Sequence, residues 1–285
     1  MRTSITGVLH VVRPNGNAAP VVLDSPHSGT EYPADFSCVT PMNVIRKAED
    51  SFVDELFVAA PECGASLQCA LFPRSYIDPN RSLQDIDPEL LAGPWPEPVS
   101  PSEKTRLGHG LVWRICPPDH QIYDHKLEVS EMRDRIETYW RPYHETLRRS
   151  LDEAHDRFGA VWHVNCHSMP TMPAPYVYGG PSGWGDFVLG DRDGSTCSPD
   201  FTNFVAETLR GYGYDVRIND PYKGVELIRA HSDPEGGRHG LQIEINRSIY
   251  MDEARLERNR GFPALQKDMT RLVRAICDFG RKQLV

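Results

Sequence analysis

Short apolar runs alternate with longer segments of helical spacing along this chain. Residues 7–12 and 20–23 read as strands divided by a turn at Pro14-Asn15-Gly16. Thr40-Pro41 then starts a helix in which Val44, Ile45, Ala48, Phe52 and Leu56 recur every three or four residues up to Pro61. Ala65–Leu71 is a further strand. The stretch 84–110, with five prolines around Trp95, reads as a long surface loop. The apolar stripe from Leu127 to Phe158 predicts a long helix, kinked at Pro142 and ended by Gly159.

The second half follows the same rhythm. A buried strand is predicted at Val161–His167, short strands at 175–178 and 186–189, and a helix at Pro199–Leu209 closed by Gly211. A strand at Asp215–Ile218, a glycine-rich loop at 219–240, a strand at Leu241–Asn246 and a closing helix over Leu265–Phe279 complete it. Strands alternating with helices predict an α/β fold whose mixed, mostly parallel sheet has helices on both faces. No change in composition divides the chain, so one domain over 1–285 is expected.

Bulk composition narrows the function classes. The net charge of −9 argues against nucleic acid or an anionic membrane as partner. No apolar run approaches the roughly 20 residues that span a bilayer, and no signal peptide is evident at the N-terminus. Seven scattered cysteines without a C-x-x-C pair suit reduced thiols in the cytoplasm and exclude a cysteine-rich zinc module. Nucleotide-binding glycine motifs are absent.

Two strands end alike: Val21-Val22-Leu23-Asp24-Ser25-Pro26-His27-Ser28-Gly29 and Val161-Trp162-His163-Val164-Asn165-Cys166-His167-Ser168. Histidines at matching strand ends lie where open α/β sheets place ligands. His27 and His167 are therefore read as ligands of one metal, with core histidines as the competing explanation. A catalytic zinc has three protein ligands, and Glu49 and Asp50 both qualify as the third. His163 lies four residues before His167, roughly 13 Å away on an unbroken strand, and is expected in a core or supporting role. Cys166 is a rival nucleophile, but its neighbour His167 points to the opposite sheet face.

Glu244 sits mid-strand in Leu241-Gln242-Ile243-Glu244-Ile245-Asn246. A carboxylate there is costly unless it is paired or functional, and partial burial tunes it as a general base. The arginines at 74, 81, 229, 238 and 247 occupy turn-rich segments and suggest an anionic substrate.

Ser-Pro-His-Ser-Gly (25–29), Glu-Asp (49–50), Asp-Pro-Asn-Arg (78–81), Tyr-Trp-Arg-Pro-Tyr-His (139–144), Asn-Cys-His-Ser (165–168), Asp-Pro-Tyr-Lys-Gly (220–224) and Gln-Ile-Glu-Ile-Asn (242–246) form an ordered set. Together they resemble the N-formylglutamate amidohydrolase (N-formylglutamate deformylase) family over about residues 20–280. The resemblance implies a zinc-carboxypeptidase-like fold with one metal held by His27, Asp50 and His167. It also implies Glu244 as base, Asn80 and Arg81 near the scissile carbonyl and a substrate carboxylate, and Arg229 as a second carboxylate contact. Tyr222 and Lys223 are further substrate-binding candidates. Two departures stand out: the carboxypeptidase His-x-x-Glu pair is absent, and Asn165 stands where the family commonly has Asp.

The expected activity is metal-dependent release of formate from N-formyl-L-glutamate in histidine breakdown. Zinc is the expected ion, although the same donors suit other divalent metals. The alternatives are hydrolysis of another N-acyl amino acid or small peptide, and a non-catalytic binding protein.

Overall fold

Alternation along two central strands sets the architecture. In the computed structural model, which describes residues 1–171 and 185–284, eight strands form one sheet. They are β1 (Arg2–Ile5), β2 (Leu9–Val12), β3 (Val21–Ser25), β4 (Ser66–Ala70), β5 (Val161–Met169), β6 (Phe187–Gly190), β7 (Val216–Ile218) and β8 (Arg238–Asn246). Their order is β1-β2-β4-β3-β5-β8-β6-β7. The central neighbours β4, β3, β5 and β8 are parallel to one another, as are β6 and β7. Antiparallel pairs join β1 to β2, β2 to β4 and β8 to β6. The expected mixed, mostly parallel sheet is therefore present.

One face of this sheet is apolar throughout. Leu23, Trp162, Val164, Cys166, Leu241, Ile243 and Ile245 pack against α3 (Pro199–Gly211) and α5 (Phe262–Lys282). The other face starts apolar, with Val22 and Val161 against Tyr143, Leu147 and Leu151 of α2 (Arg141–Phe158). It then turns polar toward the carboxyl ends of the strands, where Asp24, His163, Asn165, His167, Gln242 and Glu244 are all buried. Buried polar groups require partners, and that stripe leads to the site.

Four predicted elements differ in ways that matter. The helix expected from Thr40 to Pro61 is broken into short turns, because Glu49 is extended and Phe52 adopts left-handed backbone with φ 67°. Arg247 holds the break by donating to the carbonyls of Lys47 and Glu49 and to the Asp50 carboxylate. The helix expected over 126–158 is α1 (Val129–Arg135) joined to α2 by a wide π turn at Ile136–Trp140, just before Pro142. An N–H missing at proline is most easily accommodated at such a point. The loop at 219–240 contains α4 (Glu226–His231).

The stretch 84–110 is a surface loop over 92–104 but is buried toward both ends. Ile86, Leu90 and Leu91, with Leu111, Val112 and Trp113 just beyond it, are buried in the core on the α2 side of the sheet. The strand expected at 175–178 lies outside the described residues. Among the described residues no helix is long and apolar enough to cross a membrane.

Candidate metal centre

His27 follows β3 on a tight Ser-Pro-His-Ser-Gly turn. Gly29 is required there because any Cβ would collide with the backbone of Leu71 and Phe72. His167 lies on β5 on the same face as Asn165 and His163, two and four residues earlier. Asp50 reaches the two histidines from the break described above, anchored by its own N–H donating to the His27 carbonyl at 2.9 Å.

The three side chains converge. Nδ1 of His27 lies 3.3 Å and Nδ1 of His167 3.1 Å from Asp50 Oδ2, and the two rings meet edge to face at 4.6 Å. Their ligating atoms all lie within 4.8 Å of one another, and all three residues are buried. Glu49, the other acidic candidate, turns away and accepts from Tyr32 Oη at 2.7 Å and Arg46 Nε at 3.2 Å.

The outer ring nitrogens have their own partners. His27 Nε2 donates to Asp78 Oδ1 at 2.7 Å, and His167 Nε2 lies 2.7 Å from Asn165 Oδ1. A carboxylate only accepts, so Asp78 at Nε2 and Asp50 at Nδ1 compete for the His27 proton, and a metal at Nδ1 would replace the longer Asp50 bond and leave the proton on Nε2 facing Asp78. Burial works against charge on Asp50, but bonds from His167 and His27 and the Arg74 charge outweigh it and hold its carboxyl well below the usual range. Burial lowers His167 to about 4, so its ring is neutral near pH 7. Two imidazoles and one carboxylate, each oriented by an outer partner, form a donor set suited to a divalent transition metal such as zinc.

Glu244 lines the same cavity, which holds about 590 Å³. It is β8's register partner of His167 on β5 and accepts from Gln242 Nε2 at 2.8 Å. Burial and the nearby Asp50 charge raise its pKa from 4.5 to about 8, against the pull of Arg74 and Arg247. The expectation of a buried, tuned carboxylate rather than an exposed sheet face therefore agrees with its surroundings.

Arg74, Arg81, Arg247, Lys104 and Lys223 give the cavity a cationic wall. Arg81 is buried, with Nε on the His109 carbonyl and Nη1 on its neighbour's carbonyl at Asn80. Asn80, also in the wall, accepts the Leu227 N–H. Tyr222 lines the cavity, and burial together with the Glu244 charge keeps its hydroxyl protonated. Lys223 reaches the cavity edge, while its Nζ pairs with Asp193 at 2.9 Å.

Arg229 is the exception to the expected substrate contacts. It is not in the cavity wall, and its guanidinium clamps Glu226 through two 2.8 Å bonds at a half-exposed position. One turn of α4 carries it away from the site. Arg238 likewise pairs with Asp152. Arg74 and Arg247 also support the centre from the cavity wall, Arg74 bridging Asp78 at 3.0 Å and Asp50 at 3.6 Å.

Lys104, His109 and Trp113 are cavity residues that sequence reasoning missed. The signal was the apolar pair Leu90-Leu91 and the apolar triplet Leu111-Val112-Trp113 in and beside a proline-rich stretch, which a fully solvated loop would not contain. Cys166 lies on the apolar face, and burial raises its thiol well above the usual range. It is placed as core, as its position next to His167 suggested.

Known proteins resemble this chain along most of its length. The N-formylglutamate amidohydrolase family model matches residues 19–251. The N-formylglutamate deformylase of Pseudomonas putida is 29% identical over 246 residues, 82% of each chain. The crystal structure of an N-formylglutamate amidohydrolase from Ralstonia eutropha JMP134 superposes with a TM-score of 0.94 at 50% identity, covering 97% of this chain and 99% of that one. The Agrobacterium tumefaciens gene product Atu2144 shares the fold, with a TM-score of 0.67 at 18% identity over 95% of this chain and 96% of its own. With the family match spanning most of its length, this chain belongs to the N-formylglutamate amidohydrolase family.

Proposed function

We propose that the protein is a zinc-dependent amidohydrolase that converts N-formyl-L-glutamate and water to L-glutamate and formate. The observation that carries the metal part is the convergence of His27 Nδ1, Asp50 Oδ2 and His167 Nδ1 in a cavity that also contains Glu244. Family membership supports the substrate, and seven cysteines without a disulfide support a reducing, cytoplasmic setting.

His27, Asp50 and His167 would hold the ion. When bound, it supplies a Lewis acid for the formyl oxygen, lowers the pKa of water, and by its charge brings Glu244 down from about 8. Glu244 accepts a proton from the attacking water at its carboxylate. It returns that proton to the leaving nitrogen as the C–N bond breaks, so formate and a free amine result. Arg81 holds a glutamyl carboxylate with Nη2, which neither of its two carbonyl bonds uses. Asn80, Lys104, Tyr222 and Lys223 line the same pocket. Burial of Arg81 and Asn80 strengthens their charge interactions and keeps the substrate oriented.

The direct test is formate release from N-formyl-L-glutamate by purified protein, before and after chelation and zinc return. Activity lost and then restored supports metal and substrate together. Zinc-loaded protein that releases no formate rejects this substrate.

Arg81→Ala is expected to raise KM for N-formyl-L-glutamate roughly 10- to 100-fold, the cost of one charged hydrogen bond. An N-formyl amino acid with an uncharged side chain should change much less. Equal losses on both substrates would reduce Arg81 to a structural role. Cys166→Ala is expected to leave turnover and chelator sensitivity unchanged, and loss of turnover in a folded variant would revive the thiol mechanism.

A further inference from the structure

His27 and His167 are held differently. His27 Nε2 meets the Asp78 carboxylate directly, whereas the nearest partner of His167 Nε2 is a neutral amide oxygen, Asn165 Oδ1. Behind that amide lies another carboxylate. Asn165 is the register partner of Asp24 on β3, and its Nδ2 donates to Asp24 Oδ1 at 2.8 Å. Asp24 is fully buried and has two further partners, His163 Nε2 at 2.7 Å and Tyr143 Oη at 2.8 Å.

We infer that Asp24, acting through Asn165, is a positioning residue that fixes how His167 presents Nδ1 to the metal. The inference rests on the metal reading above. A carboxylate offers no donor, so the Asn165 NH2 must face Asp24 and its oxygen must face His167. An amide oxygen offers no donor either, so it favours the His167 tautomer with the proton on Nε2, the one whose Nδ1 can ligate a metal, while the Asp50 carboxylate 3.1 Å from Nδ1 favours the other tautomer until a metal is bound.

A competing contact makes this control necessary. Asn80 Nδ2 lies 3.1 Å from the same His167 Nε2, and its own oxygen is committed to the Leu227 N–H at 2.9 Å. A donor there favours the opposite tautomer, with the proton on Nδ1, where it blocks ligation. The Asn165 contact is shorter, and the charge of Asp24 polarises the amide toward His167. Without that charge, Asn165 is free to flip and present a second donor to Nε2. The chain therefore carries its supporting charge one strand away, on β3. Two carboxylates at 165 and 24 would meet at the distance now spanned by one hydrogen bond and repel.

The test is zinc affinity by chelator competition on the full chain, for wild type, Asp24→Asn, Asn165→Asp and the double exchange. Each single variant is expected to bind zinc roughly 10- to 100-fold more weakly, the usual cost of losing an outer partner of a metal-bound histidine. The double exchange returns the carboxylate to Nε2 directly and should recover affinity to the wild-type level or better. It should also fold, because charge is conserved and His163 can move its proton to Nδ1, which lacks a partner among the described residues.

Wild-type affinity in a folded Asp24→Asn variant overturns the inference. So does a double exchange whose loss is the sum of the two single losses, since a merely structural role predicts that sum. Wild type that binds no zinc overturns the metal reading and this inference with it.

Discussion

Glu244→Gln should release formate roughly 10²- to 10⁴-fold more slowly than wild type while still binding zinc, the range typical of losing a general base. The amide fills the same space on β8 but cannot accept the proton of water. The three metal donors come from other elements, so the ion should stay at full stoichiometry. Metal content and single-turnover formate release together decide the matter. A variant that turns over normally would remove Glu244 from the chemistry, and one that loses its zinc would make it a ligand instead.

The same variant has a pH signature in the metal-free protein. Burial and the Asp50 charge raise Glu244 from 4.5 to about 8. Between those values the folded chain holds a proton that the unfolded chain has released. The contribution of Glu244 to stability is therefore complete below about 4.5 and is lost as pH rises through about 8. The Gln side chain has no such loss. Thermal melts of EDTA-treated proteins should show the variant gaining on wild type as pH rises across that window. A constant difference would mean that Glu244 is solvated.

Asp50→Ala should abolish both zinc binding and formate release, and should lower the stability of the metal-free chain. With two histidines left, the centre falls below the three protein ligands of a catalytic zinc site. The replacement also removes the anion that Arg247 Nη2 reaches at 3.0 Å and Arg74 at 3.6 Å. Breaking a buried pair from one side costs about 3–5 kcal/mol, although Asp78 retains Arg74. Glu49→Ala is the control: that side chain bonds Tyr32 and Arg46 outside the cluster, so zinc and turnover should survive. The reverse outcome, metal lost with Glu49 and kept without Asp50, would reassign the third ligand.

Part of the site was legible before folding because local chemistry marks it. A histidine at or near the end of an apolar strand, followed by serine, proline or glycine, marks a candidate ligand position, and His27 and His167 both fit it. The period of two along β8 placed Glu244 opposite its isoleucines, and the same alternation separated Cys166 from His167. What failed was also physical. The stripe from Val44 to Leu56 fits a helix, and only the remote Arg247, bonding the carbonyls of Lys47 and Glu49, stabilises the break that delivers Asp50. Arg229 looked like a substrate contact because an arginine in a loop has no visible partner in sequence, whereas in the fold Glu226 lies one helical turn away.

Hydrophobic periodicity, being local, determined by itself the alternating strands and helices, the burial of β5 and β8, and the residue types at their carboxyl ends. Tertiary structure decided which carboxylate joins the histidines, which cations face the cavity, and that Asp24 stands behind Asn165. Those are contacts between residues far apart in the chain, where packing and the desolvation of buried charge select one partner among several that sequence leaves equivalent.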